Sequence, residues 1–84
     1  VAVIVRFWAA ARSAAGTTES EYDDAASLAD LLAALADRHG PGLAKVLGVA
    51  SYLVDSQPVG RRDPAGVAVP PGSVVEVLPP FAGG

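Results

Sequence analysis

The residues best suited to chemistry in this 84-residue chain are its last four, Phe81-Ala82-Gly83-Gly84, set directly behind Pro79-Pro80. Glycine at 83 and 84 removes both Cβ atoms, so a carboxylate at Gly84 can be threaded through a narrow channel and approached from either side. Four extended residues reach at most ~14 Å beyond a folded body, a distance suited to entering another protein's active site. A carboxylate is inert as an acyl donor. Adenylation by a nucleotide-dependent partner would activate it, because AMP is a good leaving group. Sulfide or a persulfide could then displace AMP and leave a thiocarboxylate. The chain has no cysteine, so it has no disulfide framework, no thiolate metal site, and no persulfide or thiol nucleophile of its own. Any sulfur it carries must sit on another group.

Other chemical candidates have plainer readings. His39 falls at the end of a helical pattern, where it suits the helix dipole better than catalysis. Asp23 and Asp24 lack a third ligand and read as helix N-terminal charges. Arg61 and Arg62 read as solvated loop charges.

The tail needs a body to launch it. Val1 to Phe7 is β-branched, apolar at Val1, Val3, Val5 and Phe7 and nearly so on its other face, which predicts a strand in the middle of a sheet. Trp8 to Ala15 predicts one or two helical turns ended by Gly16. Thr17 to Tyr22 predicts a charged edge strand, antiparallel to the first. Leu28, Leu31, Leu32 and Leu35 recur at i, i+3, i+4 and i+7, predicting a helix from Ser27 to His39 with Ser27 as N-cap and Gly40-Pro41-Gly42 as its stop. A short helical turn over Leu43 to Val49 and a strand at Tyr52 to Val54 follow, closed by an Asp55-Ser56-Gln57-Pro58 turn. Gly60 to Gly72 reads as a loop with a short edge strand at Val67-Ala68-Val69. Ser73 to Leu78 is the last strand, apolar on both faces, and Pro79-Pro80 ends it and fixes the direction of exit. Two such strands are most easily buried side by side as parallel neighbours, joined across the sheet by the leucine-striped helix. The expected fold is α+β: a ββαββ mixed sheet with one main helix, the β-grasp. Residues 1–80 form its single domain and 81–84 the tail.

A chain this short buries only roughly 60% of its unfolded surface, so it supports one core. Its net charge is −3 and its six basic residues are scattered. That pattern argues against nucleic acid and for a basic protein surface as partner. No apolar run approaches membrane-spanning length and no basic leader precedes the first strand, so a cytoplasmic protein is expected, without a membrane partner.

Arg6-Phe7-Trp8-Ala9-Ala10-Ala11-Arg12, the helix opening from Ser27 to Leu35, and Val77-Leu78-Pro79-Pro80-Phe81-Ala82-Gly83-Gly84 together resemble the MoaD/ThiS sulfur-carrier family, most of all its molybdopterin synthase small-subunit branch. The hydrophobic-Pro-Pro-x-x-Gly-Gly ending is the most specific part. The resemblance implies a ubiquitin-like β-grasp and adenylation of Gly84 by an E1-like enzyme that uses ATP and Mg²⁺. It further implies a thiocarboxylate filled from a sulfur donor protein, and insertion of the tail into a large subunit that builds the dithiolene of molybdopterin. No bound cofactor and no metal are implied for this chain. Gly83 and Gly84 correspond to the inserted end, and Phe7, Trp8, Arg12, Leu78, Pro80, Phe81 and Ala82 to partner contacts. The Asp55 to Pro58 turn stands where the family often has an Asn-Gly-like turn, and Trp8 where it commonly has Phe. A sulfur carrier for thiamine or cysteine biosynthesis, a ubiquitin-like modifier joined to lysine, and a β-grasp binding domain with an idle tail are the alternatives.

Overall fold

Alternation along Val3–Phe7 decides how β1 lies: Val3, Val5 and Phe7 are buried while Arg6 between them is exposed. The computed structural model describes residues 2–23 and 25–80. Its sheet has the order β2-β1-β5-β3-β4, with β2 at Glu19–Tyr22, β3 at Ser51–Val54, β4 at Gln57–Pro58 and β5 at Val74–Leu78. β1 pairs antiparallel with the edge strand β2, Val3 opposite Tyr22 and Arg6 opposite Glu19. It pairs parallel with β5, Ile4 opposite Val74 and Phe7 opposite Val77. This is the mixed sheet of the β-grasp, with the first and last strands as central neighbours.

Among the described residues three α-helices accompany the sheet, α1 at Ala9–Ala15, α2 at Leu28–His39 and α3 at Pro41–Leu47, with a 3-10 turn at Pro64–Gly66. Three of the four leucines of the stripe behave as the spacing requires, Leu28, Leu31 and Leu35 being wholly buried with Val3, Val5, Val75 and Val77 in the core, while Leu32 is half-buried at its margin. Ser27 caps α2, its hydroxyl accepting from the Asp30 N–H at 3.2 Å. Gly16 ends α1 at φ 76°, its N–H donating to the Arg12 carbonyl at 2.9 Å. At the far end of α2, Arg38 lies over the Tyr22 ring, 4.1 Å from its centre, and donates to the Glu21 carbonyl, tying the helix to the edge strand. No helix among the described residues is long and apolar enough to cross a membrane.

Four sequence expectations need correction. The second face of the central strands is not buried: Ile4, Val74 and Leu78 remain half-buried, because the helical layer lies on the other side. Gly40 stops α2, but Pro41 and Gly42 do not break the chain further; α3 begins at Pro41, whose missing N–H costs nothing at the first helical position. Val67-Ala68-Val69 is no edge strand. Ala68 makes a single bridge to Ser27, the Val67 carbonyl accepts from the Leu28 N–H at 2.8 Å, and Val67 and Val69 are buried under the start of α2.

The fourth correction shortens the Asp55 to Pro58 turn to two residues. Gln57 and Pro58 pair as β4 with Val54 and Leu53, leaving Asp55 at φ 48° and Ser56 at φ 68° to reverse the chain. Two successive left-handed residues make the mirror-image turn that matches strand twist and favours Asn-Gly. Asp55 is held in place because its N–H donates to the Val74 carbonyl and its Oδ1 accepts from the Val74 N–H, both at 2.8 Å. Ser56 makes no such contribution. Ser56→Gly should therefore raise stability by ~1 kcal/mol by removing the left-handed strain; equal urea midpoints for the two proteins would contradict that strain.

Candidate functional site

The parallel pairing of β1 and β5 brings the chain's two candidate segments to one end of the sheet. Beyond Phe7 the Trp8 N–H donates to the Val77 carbonyl at 3.1 Å, so Trp8 stands beside the strand that leads to Pro79 and Pro80. Ala9 then turns the backbone at φ 51°, a left-handed conformation that costs an L-residue on the order of 1 kcal/mol, and α1 begins. Trp8 is 45% exposed, high for a large ring. With Arg6, Phe7, Arg12, Thr18 and Glu19 it lines a shallow groove of about 250 Å³.

Phe7, which the resemblance makes a partner contact, packs in the core and also lines that groove. It is only 2% exposed and sets its ring edge-on against His39, with centroids 5.6 Å apart. It occupies the core face of β1, and the His39 ring it touches also reaches Ser20 at 3.4 Å. Leu78 lies on the opposite, open face, because its neighbour Val77 is the residue opposite Phe7. Phe7 and Leu78 therefore do not share a patch. Leu78 lies instead on the face that carries Ile4 and Val74. Trp8→Ala should weaken capture by a partner by ~1–2 kcal/mol while barely moving thermal stability, because its ring is not part of the core; unchanged affinity would take Trp8 out of the interface.

On the β3 side of the exit, Pro80 joins Val49, Tyr52, Pro58, Arg61 and Arg62 in lining a larger groove of about 540 Å³. Burial pushes the Tyr52 hydroxyl up to about 12, so it stays protonated and donates to the Leu47 carbonyl, fixing the join between α3 and β3. Arg62 braces the loop after β4 through the carbonyls of Val59 and Pro58, at 3.1 and 2.9 Å. Val49 stands 64% exposed. From sequence, Val49 and Arg6 take no site role and Arg61 is a solvated loop charge. The available signal at Val49 was an apolar residue in the joint between α3 and β3 that continues neither periodicity.

Phe81, Ala82, Gly83 and Gly84, which carry the proposed chemistry, lie outside the described residues, as do Val1 and Asp24. Among the described residues no group of His, Cys, Asp and Glu is arranged to hold a metal ion. The structure thus supplies the end of a sheet, one groove beside Trp8 and another lined in part by Pro80, and no catalytic constellation among the described residues.

Residues 5–84 match the family model described as the ThiS family. No curated protein matches the chain significantly. Among solved structures, the Haloferax volcanii HVO 2177 protein is similar at 30% identity and TM-score 0.78, over 100% of this chain and 87% of that one. Subunit 1 and 2 of molybdopterin-converting factor from Helicobacter pylori form a protein–protein complex, in which the matching chain is 26% identical at TM-score 0.68 over the full length of both. The small archaeal modifier protein 1 of Methanosarcina acetivorans shares the fold at 23% identity and TM-score 0.82, over 100% of this chain and 97% of that one. With 80 of its positions, 5 to 84, inside the family match, its last strand leading into Pro-Pro-x-x-Gly-Gly, and its sheet superposing on these folds, the chain belongs to the ThiS family of ubiquitin-like sulfur carriers.

Proposed function

We propose that this protein is the sulfur-donating small subunit of a molybdopterin synthase. The observation that carries the reading is the Leu78-Pro79-Pro80-Phe81-Ala82-Gly83-Gly84 run issuing from β5, the central strand of the sheet. A full-length likeness to a chain from a complex of molybdopterin-converting factor subunits 1 and 2 supports a large-subunit partner. In this reading the Gly84 carboxylate attacks the α-phosphate of ATP on an E1-like enzyme. Pyrophosphate leaves, and an acyl adenylate remains. A donor protein's persulfide adds its outer sulfur to the acyl carbon and expels AMP, and a thiol then reduces the acyl disulfide, forming a new disulfide and freeing the thiocarboxylate. The tail then enters the large subunit and yields its sulfur to the pterin precursor, and water restores the carboxylate.

The chain's own contribution is presentation. It has no cysteine to compete for sulfur, and Pro79-Pro80 set the exit direction while the two glycines let the acyl carbon pass through a narrow channel. Catalytic side chains belong to the partners.

Intact mass after incubation with an adenylating enzyme, ATP, Mg²⁺ and a sulfur source tests the carrier step. The expected product differs by the exchange of one oxygen for sulfur. Addition of a large subunit and pterin precursor should then return the original mass and produce a dithiolene. Loss of the sulfur to a thiazole or cysteine precursor instead would reassign the acceptor, and a lysine-linked adduct would make the protein a modifier.

A further inference from the structure

The sheet ends in two edges, β2 and β4, each a row of main-chain groups on which another strand could build. On β2 the register decides which groups point outward. The Phe7 N–H donates to the Thr18 carbonyl, so Thr18, Ser20 and Tyr22 turn their main-chain groups to β1, and Glu19 and Glu21 turn theirs away from the sheet. Both outward carbonyls are already engaged. The Thr17 hydroxyl donates to the Glu19 carbonyl at 3.1 Å. Arg38, reaching from the end of α2, donates to the Glu21 carbonyl at 3.2 Å while its guanidinium lies over the Tyr22 ring. On β4 the Val59 N–H donates to the Tyr52 carbonyl, so the residue that faces outward is Pro58, opposite Leu53. Proline has no N–H to offer, and the Pro58 carbonyl accepts from Arg62 at 2.9 Å. An arginine therefore occupies an outward acceptor at each edge of the sheet.

We propose that Thr17 and Arg38 lock the β2 edge against a second copy of this chain, and that Arg62 with Pro58 closes the β4 edge. A second copy is the occupant the geometry singles out. Two β2 strands can meet antiparallel about a two-fold axis at Ser20, which sets Glu19 of one copy opposite Glu21 of the other and makes this edge complementary to itself. Each strand of such a pair needs the Glu19 and Glu21 carbonyls as acceptors, and the lock withholds them. The facing carboxylates add a second barrier, because like charges directly opposite repel. The edges differ in what remains once the arginine is gone: β2 regains its alternation of N–H and C=O, whereas β4 still lacks the Pro58 N–H. The inference goes beyond the proposed sulfur chemistry and does not depend on it.

The test is sedimentation equilibrium of the purified chain. Wild type should hold the monomer mass of 8.4 kDa at low and high salt. Thr17→Val/Arg38→Met frees both carbonyls while the methionine still covers the Tyr22 ring. Its weight-average mass should approach about twofold that of the monomer in ~1 M salt, where screening over ~3 Å quiets the facing glutamates. Thr17→Val alone exchanges one hydroxyl for a methyl and leaves α2 untouched, so it should give a smaller rise and keeps the test decisive if the double variant melts. Arg62→Met removes the same charge and exposes the same side chain at the other edge, and should leave the mass unchanged. Adding Glu21→Pro to the double variant should restore the monomer, since the Glu21 N–H points away from β1 and its loss spares that ladder. Monomer mass for every folded Thr17 and Arg38 variant would overturn the lock, as would a wild-type dimer. An equal rise from Arg62→Met would reveal a response to lost charge alone, and a dimer that survives Glu21→Pro would place the contact elsewhere; either result also overturns it. The readout is mass without a partner enzyme, so failure of the sulfur chemistry would leave this inference standing.

Discussion

Deletion of Gly84 should abolish sulfur transfer while leaving thermal stability nearly unaltered. The truncated chain still ends in a glycine carboxylate, so the chemistry of the acyl group survives; its position does not. One residue fewer draws the acyl carbon back by about 3.5 Å, whereas reacting atoms must meet at ~3–3.5 Å for a productive attack. Gly83→Leu should fail for a different reason, the side chain obstructing the channel that the glycines can thread. Neither change should touch the core, whose buried residues among those described lie between Val3 and Val77. Intact mass and a thermal melt read both halves of the expectation. Retained thiocarboxylate formation in the deletion, or a large drop in melting temperature, would contradict it.

Leu35→Ala should cost ~2–5 kcal/mol of stability, the range expected for truncating a wholly buried leucine. Leu35 is wholly buried beneath the helix, beside Leu31, and the small domain has little room to collapse around the space left behind. A chain of this length has a total stability of roughly 4–13 kcal/mol, so the loss is a large share of the whole. Leu32, half-buried on the same helix, supplies the control. Leu32→Ala should cost less than half as much by urea denaturation. Equal costs for the two variants would mean that the stripe is not packed as described.

Much of the fold was legible because its signals are local and agree with one another. The spacing of Leu28, Leu31 and Leu35 and the hydroxyl of Ser27 define α2 at both the sequence and the structural level. The doubly apolar runs at the two ends of the chain marked β1 and β5 as central strands, although apolarity on both faces did not mean burial on both. What escaped the sequence depended on tertiary neighbours. Pro41 reads as a breaker until a new helix begins at that residue. Val67 and Val69 alternate like a strand, yet they are used to close the core beneath α2. Gln57 and Pro58 are turn-like residues drafted into β4 because Asp55 and Ser56 reverse the chain without them.

The candidate site divided along the same line. The tail motif and Trp8 were visible as sequence, because neither fits an internal apolar pattern. Phe7 shares an apolar face with Val3 and Val5 in the sequence and is a partner contact only by resemblance; its burial, with His39 against its ring, places it inside. The grooves could not be seen at all, since Arg6 and Arg61 lie 55 positions apart and come to the same end of the sheet only when β5 pairs with β1 on one flank and β3, carrying β4, on the other.

The position of β5 between β1 and β3 has a mechanical consequence. A partner drawing on residues beyond Pro80 pulls along a strand whose hydrogen bonds run on both flanks, so tension is shared as shear across two ladders instead of peeling one bond at a time. A tail hung from an outer strand such as β2 would unzip its own support under the same tug. Here the carrier can be gripped, loaded and let go repeatedly while its interior stays shut.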